Sequence, residues 1–263
     1  MKRLIGIIQF LTRIPINIDI GIDEEFHKST IYFPIVGLIL GICYFTVAFI
    51  STHLFNQDIS TLLILGSTII LTGGLHLDGV GDTFDGLYSY RKKDKILEIM
   101  KDSRLGTNAM LAILFLLLLK AACISEILKQ DKLEYLILMP VVARTMQVIA
   151  CYKTKTPREN GMGNIFIGKV STPYLVGTIT IAIVINYIVT VCSLLLSGIS
   201  LDVLFIIRIM KQGTQQVIVA FIIFMTMKVF IKSTYKKIDG ITGDILGCIC
   251  EFSEMLFLLI LII

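Results

Sequence analysis

The chain has 263 residues, 55% of them hydrophobic and 17% charged, with a mean hydropathy of +0.84. A soluble domain carries about 25% charged residues, so an ordinary water-soluble protein is excluded, and a net charge of +4 leaves no footprint for nucleic acid. The six cysteines, Cys43, Cys123, Cys151, Cys192, Cys248 and Cys250, lie mostly inside apolar stretches with no Cys-x-x-Cys pair, which argues against a disulfide frame or a structural zinc site.

In chain order, Leu4–Leu11 comes first. It is too short to span a bilayer and lacks a small-residue cleavage site, so it reads as an interfacial segment ahead of Thr12-Arg13-Ile14-Pro15. A spanning helix needs about 20 apolar residues. Seven runs meet that need: Ile31–Ile50, Ile59–Leu77, Leu105–Ile124, Leu133–Cys151, Tyr174–Leu196, Gln216–Ile231 and Ile245–Ile263. Leu201–Met210 is short and apolar, either an interfacial helix or the start of a long, tilted sixth span. The Gly37-x-x-x-Gly41 pair marks helix packing. The expectation is one all-α, polytopic membrane domain over residues 1–263, a bundle of about seven transmembrane helices.

The connections alternate in charge. Segments 1–30, 78–104, 152–172 and 228–244 hold eighteen Lys and Arg, against four in 51–58, 125–132 and 198–214. By the positive-inside rule the N-terminus is cytoplasmic and the C-terminus faces out. Every motif-bearing loop then lies on the cytoplasmic side, including Lys153–Lys169, which reads as a flexible loop over a site. Arg91–Lys95 read as basic groups that hold their loop inside and touch anionic membrane lipid.

Chemistry concentrates in two places. The first is His76-Leu-Asp78-Gly-Val-Gly-Asp82-Thr-Phe-Asp85-Gly86. Asp78, Asp82 and Asp85 recur at helical spacing, which puts three carboxylates on one face with Cβ atoms about 5–6 Å apart. Beside a hydrocarbon segment such a cluster is a functional-site hypothesis by default. Bare, the carboxylates would repel and take up protons, whereas a hard divalent cation such as Mg²⁺ or Mn²⁺ suits an all-oxygen shell. The second is Asp239-Gly-Ile-Thr242-Gly-Asp244, continuing as a stripe to Gly247, Glu251 and Glu254. Both Glu residues lie deep in an apolar run and must face the bundle interior.

Lys101-Asp102-Ser103-Arg104 places a carboxylate, a hydroxyl and a guanidinium at the start of a span, parts suited to holding phosphate. Arg144, inside the fourth span, is either a phosphate ligand or the ion-pair partner of Glu251 or Glu254. His76 has no second His at ligand spacing and reads as a hydrogen-bonding or substrate-contacting group. Carboxylates, a divalent metal and basic phosphate holders at one membrane face point to phosphoryl transfer.

Taken with Met100-Lys-Asp102-Ser103-Arg104-x-Gly106, Phe10-Leu-Thr12-Arg13-Ile14-Pro15 and Gly240-x-Thr242-Gly243-Asp244-x-x-Gly247-x-x-x-Glu251, the first motif resembles the cobalamin synthase (adenosylcobinamide-GDP ribazoletransferase) family. The resemblance runs over essentially the whole chain, more loosely from Leu111 to Ile238. It implies a multi-pass inner-membrane transferase of cobalamin biosynthesis, dependent on Mg²⁺. Such an enzyme joins adenosylcobinamide-GDP to α-ribazole or its 5′-phosphate and releases GMP. It further implies metal-holding and catalytic roles for Asp78, Asp82, Asp85 and Asp244. Substrate contacts would fall to Arg13, His76, Lys101, Asp102, Ser103, Arg104, Arg144, Thr242 and Glu251. Oligomeric state stays open.

Three rivals compete. A CDP-alcohol phosphotransferase would show Asp-Gly-x-x-Ala-Arg, and here Asp78-Gly79-Val80-Gly81 runs into Asp82. A cation-coupled transporter would spread ionisable groups through the depth of the bundle. A structural scaffold gives no motive for burying this much charge.

Overall fold

The computed structural model describes residues 2–21, 23–196 and 203–263, all helices and connections with no strand among them. A short α1 (Lys2–Leu11) and a 3-10 segment (Phe26–Tyr32) lead into α2 (Phe33–Leu54). Then come α3 (Gln57–Thr72), α4 (Leu75–Leu87), α5 (Lys93–Ile99), α6 (Thr107–Lys129) and α7 (Glu134–Cys151). A second 3-10 turn (Met162–Ile165) precedes α8 (Thr172–Leu196), α9 (Val203–Ile238) and α10 (Gly243–Leu261).

Each of the seven predicted runs falls on a helix, but the spans are fewer by length and composition. Among the described residues five helices are long and apolar enough to cross a membrane, or six if the bent pair α3–α4 counts as one. Two differences from the sequence reading have physical causes. The second predicted span, drawn through to Leu77, breaks where Gly73 and Gly74 take φ of 63° and 69°, a left-handed geometry that glycine adopts at no steric cost. The chain turns by 87° there, and α4, at 13 residues, is too short to cross about 30 Å of hydrocarbon. In the last span, Asp244, Glu251 and Glu254 interrupt the apolar run, and the two Glu side chains are buried in the bundle.

α9 is one helix of 36 residues, so Val203–Met210 begins a long sixth span rather than a separate interfacial helix. Leu201 and Asp202 lie outside the described residues.

α7 is the hub, packing against α2, α8 and α10, and nearly all of it is buried. The Gly37 and Gly41 pair lets α2 lie directly on the α7 backbone, since a Cβ on Gly37 would meet the Pro140 carbonyl oxygen at 2.6 Å. By contrast α6, α8 and α9 turn large apolar groups outward, among them Phe115, Leu118, Ile183, Val217 and Phe221. On helices of this apolarity such a surface fits a lipid environment.

Candidate active site

α4 and α10 carry the two acidic motifs, and they lie against each other. Glycine makes this possible. A Cβ on Gly79 would sit 2.6 Å from the Asp244 carbonyl oxygen, and one on Gly247 would sit 3.2 Å from the His76 backbone. Residues separated by more than 160 positions in sequence thereby share one cavity of about 340 Å³. Asp78, His76 and Asp244 line it, together with Lys101, Arg158 and Gln147.

The charges around the cavity are specific. Arg158, in the loop after α7, places Nη2 2.8 Å from Oδ2 of Asp244 and 3.3 Å from the Met100 carbonyl. The Thr242 hydroxyl donates to the same Asp244 oxygen at 3.1 Å and accepts from the Ile245 N–H, so Thr242 is the N-cap of α10. Asp82 is half-buried. Burial first, then the facing charges of Asp244 and Asp78, push its carboxyl up to about 7, against the pull of Arg158. A carboxylate held so far above its ordinary range, with two others near it, is a place where a cation lowers the energy.

Asp85 adds its own upward push on the Asp82 carboxyl and is also held by a second helix. Its two oxygens accept the N–H groups of Gly106 at 2.6 Å and Ala109 at 2.9 Å. The helical spacing that suggested a third metal ligand also places Asp85 against the orphan donors and positive dipole end of α6. Gly106 is required beneath it, because a Cβ there would lie 2.5 Å from the carboxylate oxygens.

Among the described residues, no three His, Cys, Asp or Glu side chains already stand at the spacing of a metal shell. The donor chemistry nevertheless fits a hard cation. Asp78, Asp82 and Asp244 present only oxygen, Asp82 feels both of the others, and Arg158 offsets part of that repulsion.

The other predicted residues separate into groups. Lys101 lines the cavity. Arg104 is 88% exposed in its side chain and folds back onto Asp102, with Nη2 to Oδ2 at 2.5 Å. Its hydrogen bonds hold the Asp102 carboxyl down at about 2. Ser103 is exposed. Arg13 donates its backbone N–H to the Leu71 carbonyl at 2.7 Å, and its side chain lies over Gly73 at the α3–α4 break.

Glu251 and Arg144 lie deeper, in a buried ionic cluster. Arg144, fully buried, binds Glu254 at 2.7 Å and the Cys250 sulfur at 2.6 Å. Lys120 bridges Glu251 at 3.0 Å and Glu254 at 2.5 Å. Of the two readings open for Arg144, the ion pair is the one found, and Glu251 is likewise occupied by Lys120 rather than turned to a ligand. Two cations face two carboxylates, so the deep acids form no open ion path of the kind a transporter needs.

Sequence reasoning passed over Lys120, Arg158 and Gln147. Lys120 could have been found, since it is a lone charge in the apolar run of α6 and falls under the argument that singled out Arg144. Arg158 and Gln147 carry no such signal.

A family model described as cobalamin-5-phosphate synthase matches residues 3–262. The chain belongs to this family. It is 48% identical over 259 residues to the adenosylcobinamide-GDP ribazoletransferase of Clostridioides difficile (strain 630), covering 98% of this chain and 96% of that protein. The protein of the same name from Alkaliphilus metalliredigens (strain QYMF) is 43% identical over 264 residues, 100% of this chain and 96% of the relative. That of Clostridium novyi (strain NT) is 38% identical over 264 residues, 100% and 97%. No solved structure matches. Membership in the family decides against the phospholipid-synthase and transporter readings and makes this chain a membrane transferase of cobalamin assembly.

Proposed function

We propose that the chain transfers adenosylcobinamide phosphate from adenosylcobinamide-GDP to α-ribazole or its 5′-phosphate, at the cavity between α4 and α10. The observation that carries this reading is the meeting of Asp78 and Asp244 with Lys101 and Arg158 in one cavity, with Asp82 close enough to feel both carboxylates and Arg158, in a chain of this family.

The reaction requires an alcohol to attack the phosphorus nearest cobinamide. A new P–O bond forms, the anhydride P–O bond breaks, GMP leaves with the bridging oxygen, and the hydroxyl proton must be taken up. Lys101 and Arg158 line the cavity as phosphate-binding cations, the guanidinium by two-pronged contact and the ammonium as a point charge. Asp78 and Asp244 are the carboxylates placed along the cavity wall to orient the hydroxyl and accept its proton. Mg²⁺, held by Asp78, Asp82 and Asp244, would neutralise the pyrophosphate and stabilise the charge that develops on it. The loop bearing Arg158 and the 3-10 turn supply part of the cavity wall.

The excess of Lys and Arg on alternate connections supports placing this end of the bundle in the cytoplasm, and residues 1–263 act as one membrane domain. The decisive assay uses membranes carrying the chain, supplied with adenosylcobinamide-GDP and Mg²⁺. GMP release should depend on added α-ribazole. Release at the same rate without the nucleoside refutes the reading.

A further inference from the structure

Away from the acidic cavity, α7, α8 and α9 enclose a second and larger space of about 1050 Å³. Its lining is mostly hydrocarbon, including Val142, Met146, Ile179, Val217, Phe221 and Phe224. The rims are apolar too, since Ile183, Val217 and Phe221 are exposed. The space is not filled from within, for a Cβ on Gly213 would meet no atom within 4 Å. The Thr190 hydroxyl donates to Oε1 of Gln216 at 3.2 Å, which joins α8 to α9 along the groove. Gln216 stands twelve residues before Lys228. That is about 18 Å along a helix, close to half of the roughly 30 Å of hydrocarbon in a bilayer and so the depth of one leaflet.

The chemistry changes at one end. There Tyr152, Lys153 and Thr154 open the loop that carries Arg158, and Lys228 and Tyr235 face them from α9. The mouth of the groove therefore lies at the same end of the bundle as the acidic cavity. Lys153 and Lys228 are exposed, and their Nζ atoms lie 5.1 and 5.6 Å from the ring centroids of Tyr152 and Phe224. Neither has an ion-pair partner among the described residues, and no Asp or Glu among them lines the groove. Lys228 also sits within an apolar stretch, where an ammonium is costly unless its head reaches the interface or an anion.

Two cations without counter-charge at the mouth of an apolar groove are complementary to one kind of molecule, with an anionic head and a hydrocarbon tail. A transmembrane helix of a second copy would cover the walls and leave both ammonium groups unanswered. A water-soluble reactant would lie against hydrocarbon. We infer that the groove binds one anionic phospholipid, its phosphate taken by Lys153 and Lys228 and its acyl chains laid along α7 between α8 and α9. The site is separate from the reaction proposed above. Its occupant also touches the support of the Arg158 loop, because the Tyr235 hydroxyl at the mouth accepts the Lys155 N–H at 2.7 Å.

The test uses the full-length chain, delipidated in detergent, with native mass spectrometry reading the binding of phosphatidylglycerol and of phosphatidylcholine with the same chains. Phosphatidylglycerol should bind about tenfold more tightly or better, the scale of two lysines acting on an anionic head. Lys153→Gln with Lys228→Gln should bring it down to the phosphatidylcholine level. Lys232→Ala with Lys236→Ala removes two exposed charges on α9 outside the groove and should leave affinity within about twofold. Ala220→Leu narrows the groove and should weaken both lipids. If that variant fails to fold, the lysine variants, all at exposed positions, still decide. Equal binding of the two lipids overturns the inference, as does full phosphatidylglycerol affinity in the folded Lys153→Gln, Lys228→Gln protein. An equal loss in the Lys232→Ala, Lys236→Ala protein reduces the effect to general surface charge and also overturns it. So does a lipid-free dimer that Ala220→Leu dissociates, which gives the groove to a second copy.

Discussion

Arg158 Nη2 stands 2.8 Å from Asp244 Oδ2, which ties the loop after α7 to the first turn of α10 over the cavity. The contact is charge-assisted and mostly shielded, with side-chain exposures of 12% and 21%. It balances one carboxylate of a crowded acidic group. Arg158→Ala should lower kcat/KM for GMP release by about 10–150-fold, the scale of a hydrogen bond to a charged group. Arg158→Lys should fall in between, since an ammonium keeps the charge without the fork geometry. Full activity of Arg158→Ala would remove Arg158 from the site.

Asp82 and Asp85 are three residues apart on one helix and should respond in opposite ways. Asp82→Asn removes a charge that its neighbours already oppose, so turnover should be lost while melting temperature in detergent holds or rises. Asp85→Ala removes the acceptor of two backbone N–H groups at the start of α6. It should cost about 0.5–2 kcal/mol of stability and leave the Mg²⁺ dependence of the remaining activity unchanged. Matching melting losses in the two variants would show that the division of roles is wrong.

That division could not be read from spacing. Asp78, Asp82 and Asp85 are equivalent by helical period, and only the approach of Gly106 and Ala109 from a different helix sets Asp85 apart. The helices themselves were legible because lipid demands uninterrupted apolar runs, and α2, α6, α7 and α8 fall close to where hydropathy puts them. The turn at Gly73-Gly74 was hidden because Leu75 and Leu77 carry the apolar run past it, so the drop in hydropathy comes only at Asp78. The two acidic motifs were each visible alone. Their meeting depended on Gly79 and Gly247 letting two helices touch, a packing fact. Arg158 stands in a polar loop without period, where a basic residue ordinarily means only solvent.

Topology can be checked with single cysteines placed at Lys92 and His53, in a chain lacking its six native cysteines. Both positions are exposed. Ser51, at the same end of α2 as His53, is buried and makes a poor probe. In sealed inverted vesicles the Lys92 position should react with an impermeant maleimide and the His53 position should not, because charge bias puts the α4–α6 connection inside. Reaction of both from one side would refute the orientation proposed here.

Lys120 holds the deep cluster together, touching both Glu251 and Glu254 with only 1% of its side chain exposed. Arg144 reaches Glu254 from α7, so the cluster fastens α6, α7 and α10 below the cavity floor. Lys120→Met keeps the volume of the side chain and removes its charge, leaving two buried carboxylates against one guanidinium. Breaking a buried pair from one side costs about 3–5 kcal/mol, enough to lower the folded yield and melting temperature sharply. Lys120→Met combined with Glu251→Gln restores neutrality and should recover much of that loss, because the remaining Glu254 keeps Arg144. If the cluster bound substrate, the double variant would be folded but inactive. If it only fastens helices, the double variant recovers GMP release together with stability. A single Lys120→Met protein that melts like wild type would show that the cluster carries no such load.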